Sequence, residues 1–369
     1  YTAGYRYNFS TGRLVQTGVF SVSSIPKGAS IFLDGSPTGL TTPSLVKNVF
    51  PGEHELIASK DGYSSWRKLL SIQSRETTFA DDIVLFQNGD PTPRRETDIL
   101  AVTINPQGTR AAFAKTKGQW TEIWILSLSD DSEILVSRLP VGVDASVRLG
   151  WLEAGTVLST TSESNGVSLR SLVHADDGSA MEPIVSDIVL SSVADHVAVS
   201  RAHGATNDIL AYVPSGDYDE SFAPNGMIQL EDVSRRRLIL IQPTGGDQPI
   251  LLNAEASFWQ WEPNGTRLLY TDGFDLHVYD ASSHTDETVT RLSSPVTWVA
   301  WYPGHSYVLY AQNDAIFATE LDRRGERNVT RLAEGADIRA FAPSGNGTKL
   351  WFFGTVNGKS GLFERRLGK

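Results

Sequence analysis

The sequence predicts an all-β chain of two unequal domains, and three observations predict it. Short stretches alternate apolar with small or polar side chains at the period of two that a half-buried strand requires, as in Val19-Phe20-Ser21-Val22-Ser23 and Ala29-Ser30-Ile31-Phe32-Leu33. Glycine and proline, 32 and 17 of 369 residues, punctuate these stretches at turn-sized intervals. A Pro/Gly turn between apolar strands then recurs along the C-terminal part, with Pro263, Pro303 and Pro343 spaced by 40 and 40.

Length alone favours two domains, since 369 residues exceed what one ordinary core supports. Residues 1–86 hold 8 basic and 7 acidic side chains, so the formal net charge of −11 resides downstream. Such a surface repels nucleic acid and, over most of its area, anionic lipid, and favours a cationic or neutral partner. Cysteine is absent, which excludes disulfides and thiolate metal sites. No apolar run approaches the ~20 residues that span a bilayer, so the chain as given is expected to be soluble. It opens on Tyr1, and a signal or membrane anchor upstream is the expectation.

Residues 1–18 read as a hairpin around Ser10-Thr11-Gly12, leading straight into the strand at Val19. Asp34-Gly35 closes the strand that ends at Leu33, and His54 to Ala58, Trp66 to Ile72 and Phe79 to Phe86 supply further strands. His54 beside a turn reads as a packed or surface imidazole. The turn residues Ser24-Ile25-Pro26-Lys27-Gly28-Ala29, Leu33-Asp34-Gly35, Thr38-Gly39, Thr42-Pro43, Pro51-Gly52-Glu53-His54 and Lys60-Asp61-Gly62-Tyr63 fall in the order and spacing of a known family. Over about Val19 to Leu85 the chain resembles the PEGA domain family, with His54 where the family has alanine. The resemblance implies a small, non-catalytic, β-sandwich-like module of bacterial and archaeal cell-envelope proteins. The expected organisation is this domain over 1–87, a polar linker over 88–98 carrying Pro91 and Pro93, and a repeat domain over 99–369.

In the repeat domain four stretches align: Asn105-Pro106-Gln107-Gly108-Thr109, Glu262-Pro263-Asn264-Gly265-Thr266, Tyr302-Pro303-Gly304, and Ala342-Pro343-Ser344-Gly345. In each, a strand ends, Pro and Gly turn the chain, and an apolar strand returns, as Tyr307 to Tyr310 does. A third strand such as Leu276 to Asp280 and a charged connection complete the unit. Four short antiparallel strands per ~40 residues is the arithmetic of a β-propeller blade. The units resemble TolB-like and WD-repeat-like propellers, with the turn motif degenerate.

Two weaker units fit between Pro106 and Pro263. One runs from Val147 to Val185, turning at Trp151 to Thr156, and one from His196 to Leu252, turning at Ser200 to Asn207. The second is overlong, and its excess, Ser215 to Arg235, is expected as an inserted loop. The total is a six-bladed propeller, with seven blades as the alternative. The last unit lacks a fourth strand, for which residues between Phe86 and Thr97 are the nearest donor.

A search for chemistry finds little. Gly-x-Ser-x-Gly is absent, the nearest run being Gly304-His305-Ser306-Tyr307-Val308. The seven histidines show no His-Glu-x-x-His or other close ligand pairing, and no phosphate-binding Gly loop or Asp box occurs. No metal and no cofactor are therefore expected. Asp217-Tyr218-Asp219-Glu220 lacks the alternating oxygen ligands and glycine of a calcium loop. It is the best candidate for a partner contact. Trp259 and Trp261, with Trp298 and Trp301, fall on innermost strands of adjacent units. They read first as packing between blades and second as a stacking surface near the channel mouth. Sequons stand at Asn8, Asn264, Asn328 and Asn346, three of them in turns where Asn is favoured anyway.

Together these readings predict a non-catalytic binding or scaffolding protein of a prokaryotic cell envelope or surface. The PEGA-like module would serve as a wall-proximal spacer, and the propeller would take a protein or cell-wall glycan partner and no nucleic acid. The alternative is a hydrolase acting on glycan or peptide through carboxylates at the channel mouth.

Overall fold

The structure, a computed structural model, describes all residues except 1–3, 10–11, 98, 141–145, 153–154, 165–166, 182–186, 204–205, 305 and 369, and only the backbone of 8, 163–164, 167–169, 203 and 206–207. The turns expected at 151–156, 200–207 and 304–306 therefore lie partly outside the described residues, as does the end of the 147–185 unit. Among the described residues the named elements are all strands.

A hairpin of β1 (Tyr5–Asn8) and β2 (Arg13–Gln16) precedes the small domain. That domain contains β3 (Gly18–Ile25), β4 (Ser30–Leu33), β5 (Ser36–Thr41), β6 (Ser44–Val49), β7 (Gly52–Ser59), β8 (Trp66–Ile72) and β9 (Thr77–Val84). One sheet runs β6-β3-β9, with β3 and β9 parallel, and the other runs β5-β4-β7-β8. Alternation does the packing: along β8, Trp66, Lys68, Leu70 and Ile72 are buried while Arg67, Leu69 and Ser71 are exposed. The inward residues of both sheets, including Phe20, Val22, Ile31, Leu56, Leu70, Ile72 and Ile83, form one core.

After β10 (Thr92–Glu96) the chain makes seven sheets. Sheet one is β11 (Ala101–Ile104), β12 (Arg110–Lys117), β13 (Trp120–Ser127) and β14 (Glu133–Pro140). Among the described residues sheets two and three show three strands each: β15 (Ser146–Leu152), β16 (Val157–Ser164) and β17 (Val167–His174), then β18 (Ile188–Val193), β19 (His196–His203) and β20 (Thr206–Pro214). Sheet four is β21 (Asp219–Phe222), β22 (Ile228–Asp232), β23 (Arg237–Ile241) and β24 (Ile250–Glu255). Sheet five is β25 (Phe258–Trp261), β26 (Arg267–Thr271), β27 (Asp275–Asp280) and β28 (Thr285–Arg291). Sheet six is β29 (Val296–Trp301), β30 (Tyr307–Gln312), β31 (Ala315–Glu320) and β32 (Val329–Glu334). Sheet seven is β33 (Ala336–Pro343), β34 (Lys349–Val356) and β35 (Lys359–Arg366), completed by β10.

The arrangement is a ring. First strands of consecutive sheets lie together, β25 on β29, β29 on β33 and β11 on β15, and β33 also meets β11, joining the last sheet to the first. Apolar clusters fill the wedges: Leu309, Phe341 and Phe352 between six and seven, and Phe113, Trp351 and Phe353 between seven and one. Others join one to two, three to four, four to five and five to six.

Two expectations change. Ser215 to Arg235 is not an inserted loop, because it carries β21 and β22, and the unit read over His196 to Leu252 is two sheets. The physical reason is a turn: Pro224-Asn225-Gly226 repeats Pro263-Asn264-Gly265 at a distance of 39 residues. The Asn225 amide donates to the Gly265 carbonyl at 2.8 Å, seating one turn on the next. Gly265, at φ 69°, leaves no room for a side chain there, since a Cβ would press on the backbone of Pro224 and Asn225. The linker is the second: it holds the fourth strand of the last sheet, supplied from the donor stretch expected between Phe86 and Thr97. Within the stretch expected as linker, Thr92 to Glu96 pairs antiparallel with Gly361 to Glu364, with an irregularity between Pro93 and Arg95. A proline is tolerated in such an outer strand at a bulge.

Candidate functional site

The two domains meet through buried polar groups. Lys68 and Glu320, 2% and 4% exposed, form an ion pair across the junction. Lys68 Nζ also lies 3.4 Å from the Asp322 carboxylate. The Trp66 indole N–H donates to Glu320 Oε2 at 2.8 Å, and the Asn328 backbone N–H donates to Oε1 at 2.9 Å. The Asn328 side chain accepts from the Arg67 N–H at 3.2 Å and donates to the Arg67 carbonyl at 3.0 Å, covering the edge of β8 as a neighbouring strand would. Phe86 meets Tyr302 and Tyr307 edge-on, with ring centroids 5.3 and 5.7 Å apart. Burial pushes the Tyr302 hydroxyl up to about 12. It also raises that of Tyr307, with Glu320 adding to the shift.

Beside this junction lies a cleft of about 520 Å³, lined by Asp81, Asp82 and Trp66 of the small domain and by Arg267, Ser306, Tyr307, Glu320, Asp322 and Arg324 of the ring. A β-bulge creates its acidic wall. Val22 pairs with Ala80 but Ser24 pairs with Ile83, so β9 carries one extra residue and turns Asp81 and Asp82 outward together. Ser23 Oγ donates to the Asp81 carbonyl at 2.9 Å and fixes the bulge. Glu320 is neutralised by Lys68, and Asp322 is gripped by Arg324 at 2.8 to 3.1 Å. Asp81 and Asp82 are its most exposed carboxylates, beside half-buried Asp322 and the Arg324 that grips it, and the aspartate pair suits a cationic group.

The residues singled out from sequence fall in two places. Trp261 donates its indole N–H to Gln229 at 2.9 Å, Trp301 to the Gln260 carbonyl at 2.9 Å and Trp298 to the Phe341 carbonyl at 3.0 Å. These bonds link sheets four to five, five to six and six to seven. The Arg267 guanidinium covers the Trp301 ring at 4.9 Å, and half-buried Trp259 packs against Leu238, Leu240 and their neighbours. Asp217 and Tyr218 lie just before β21, where the Tyr218 hydroxyl donates to the Pro214 carbonyl at 3.0 Å. Asp219 and Glu220 begin β21.

Asp219 instead meets a residue that sequence reasoning passed over. It stands directly opposite Glu231 in the β21–β22 pairing, and Arg170 of sheet two lies 3.9 Å from its carboxylate. Burial, followed by the charge of Asp219, pushes the Glu231 carboxyl up to about 7 against the opposing pull of Arg148 and Arg170. The signal was present: once Pro224-Asn225-Gly226 is read as a hairpin turn, Asp219 and Glu231 become cross-strand partners.

Asp272, Asp275 and His277 bring ligand-type atoms within 4.8 Å of one another. Arg291 already grips both oxygens of Asp275 at 2.7 to 3.0 Å, and Asp272 accepts the N–H groups of Phe274 and Asp275 at 2.8 and 2.7 Å. A guanidinium thus supplies the positive charge that a cation would bring.

Comparison with known proteins agrees with this architecture. Residues 17–85 match the PEGA domain family. No curated protein matches the chain. Among solved structures, a chain of the mitotic checkpoint complex is 12% identical with a TM-score of 0.50, over 76% of this chain and 96% of that one. The β-propeller domain of Cps50 (Swd1) from Myceliophteria thermophila is 11% identical with a TM-score of 0.48, over 75% and 99%. Such distant likeness speaks to fold alone, and on that footing the chain joins an N-terminal PEGA domain to a β-propeller.

Proposed function

We propose that this is a non-catalytic binding or scaffolding protein of a prokaryotic cell envelope, in which the PEGA domain is a fixed base and a TolB-like propeller is displayed to a cationic protein or cell-wall glycan partner. The observation that carries the reading is the acidic cleft framed by an immobilised domain junction. Asp81 and Asp82 are re-aimed by a bulge into a space of about 520 Å³, and the buried Lys68–Glu320 pair holds both walls in register. The PEGA match supports the envelope location, and the degenerate Pro/Gly turns support the TolB-like subtype. The test is titration with a lysine-rich peptide and with soluble cell-wall fragments. Binding that falls at least about fivefold in the Asp81→Asn, Asp82→Asn double variant supports the reading, and unchanged affinity rejects the cleft.

A second reading, a hydrolase, draws on one specific observation. Glu231 holds a proton near neutral pH beside Asp219, and two carboxylates in unlike environments can divide acid and base roles. Turnover of a glycan or peptide panel, abolished by Glu231→Gln, would favour it over binding alone.

A further inference from the structure

The hairpin ahead of the PEGA domain is an amphipathic ribbon whose apolar face is exposed among the described residues. Pairing sets Tyr7 opposite Leu14 and Tyr5 opposite Gln16 on one face, while Arg6, Val15 and Arg13 share the other. Phe9 folds back onto Tyr7, edge to face at 5.0 Å. Tyr5, Tyr7, Leu14 and Phe9 are 43%, 48%, 69% and 90% exposed. A strand pair ordinarily buries such residues. The ribbon is held at its base, where Thr17 N–H and Oγ1 both donate to the Gly4 carbonyl and Ser74 Oγ donates to the Gln16 carbonyl at 3.0 Å. It therefore stands off the domain in a set direction.

We propose that this ribbon docks on an anionic lipid bilayer, with the aromatic face at the headgroup–acyl boundary and Arg6 and Arg13 reaching lipid phosphates. Two arguments select a lipid surface. The first is charge: the ribbon carries two arginines and no acidic residue in a chain of formal net charge −11, so an anionic membrane attracts this end and repels the propeller. The second is area. Two four-residue strands present a face of roughly 13 by 10 Å, far below the ~800 Å² per partner that a stable protein interface needs. A bilayer sets no such minimum. Tyrosine, phenylalanine and leucine with flanking arginine are the residues that settle at a membrane interface, where rings and long stems stay in the apolar zone and polar tips stay wet. The inference stands apart from whatever the propeller binds.

The test is sedimentation of the full chain with vesicles of phosphatidylcholine alone or with 30% phosphatidylglycerol, at low and high salt. The expected result is several-fold greater capture by the anionic vesicles, weakened by salt. Tyr7→Ser, Phe9→Ser, Leu14→Ser in one variant should lower capture at least about fivefold with an unchanged thermal transition, because these side chains are exposed. Arg6→Gln, Arg13→Gln should remove the salt-sensitive part. Failure of the parent to sediment with anionic vesicles, or equal capture of the triple variant, overturns the proposal. Self-association of the parent that the triple variant abolishes, without vesicle binding, assigns the face to a second copy and also overturns it.

Discussion

Sheets six and seven and sheets two and three occupy equivalent places in the ring but are built from different materials. In the former every residue of β30 is buried, and Tyr302, Tyr307, Leu309, Phe341, Phe352 and Phe363 fill the wedge between sheets. In the latter each sheet has three strands, Ser159, Thr160 and Ser200 are among the buried residues, and no apolar cluster spans the two sheets among the described residues. Apolar area supplies most of the cohesion between packed sheets. Among the described residues the apolar packing is densest on the side where the PEGA domain docks, and the opposite side is where local opening should cost least.

This contrast can be broken by mutation. Phe352→Ala, at the centre of the strong wedge, should cost ~3–5 kcal/mol of unfolding free energy in urea titration. A loss below ~1 kcal/mol would mean that the wedge is not the seat of cohesion. Lys68→Ala leaves Glu320 buried and uncompensated, and should cost a comparable ~3–5 kcal/mol. Lys68→Ala, Glu320→Gln should recover part of that loss if the uncompensated charge is its cause.

Glu231 probes the weaker side, since it faces arginines of sheet two. Its folded value of about 7 exceeds its ordinary 4.5, so the folded chain holds a proton that the unfolded chain releases. The stability tied to that proton is complete below about pH 4.5 and is lost as pH rises through about 7. Glu231→Gln should remove that loss, gaining up to ~3 kcal/mol over the parent at pH 8 and little at pH 4. Parallel urea midpoints for both proteins from pH 4 to 8 would refute the shift. The smallest effect is expected for Ser200→Ala, about 1 kcal/mol or less, because the change removes one buried hydroxyl and leaves the packing of Val197 and Val199 intact. A larger loss by thermal denaturation would show that the polar wedge depends on that hydroxyl.

The same contrast explains what could be read from sequence. Sheets one, five, six and seven announce themselves through Pro106, Pro263, Pro303 and Pro343 because their turns pack on neighbouring turns and their strands are rich in aromatic and branched residues. Sheet four carries the same turn at Pro224, legible but absorbed into an assumed loop. Sheets two and three are obscure because serine and threonine stand where an apolar alternation would have marked strands. β10 was located as the nearest donor but carries no strand signature of its own. Its side chains make ion pairs, Arg94 with Asp131, Arg95 with Glu133 and Glu96 with Lys359, so nothing apolar signals a strand. The small domain was legible almost throughout, since its turn residues are local. The junction was not: Lys68 and Glu320 are ordinary surface types until a partner 252 positions away buries them.

The pairing of β10 with β35 has a consequence for biosynthesis. A ribosome releases Thr92 to Glu96 before any other strand of the ring, yet their partner, Gly361 to Glu364, follows every other strand of the ring in the sequence. The PEGA domain can fold while translation continues, but the final sheet must wait with one outer strand unpaired until the C-terminal segment emerges. Arg365 then clasps the Gln87 and Leu332 carbonyls, so the closing strand of the ring is fastened to the stretch that leads out of the base and to the sheet before it.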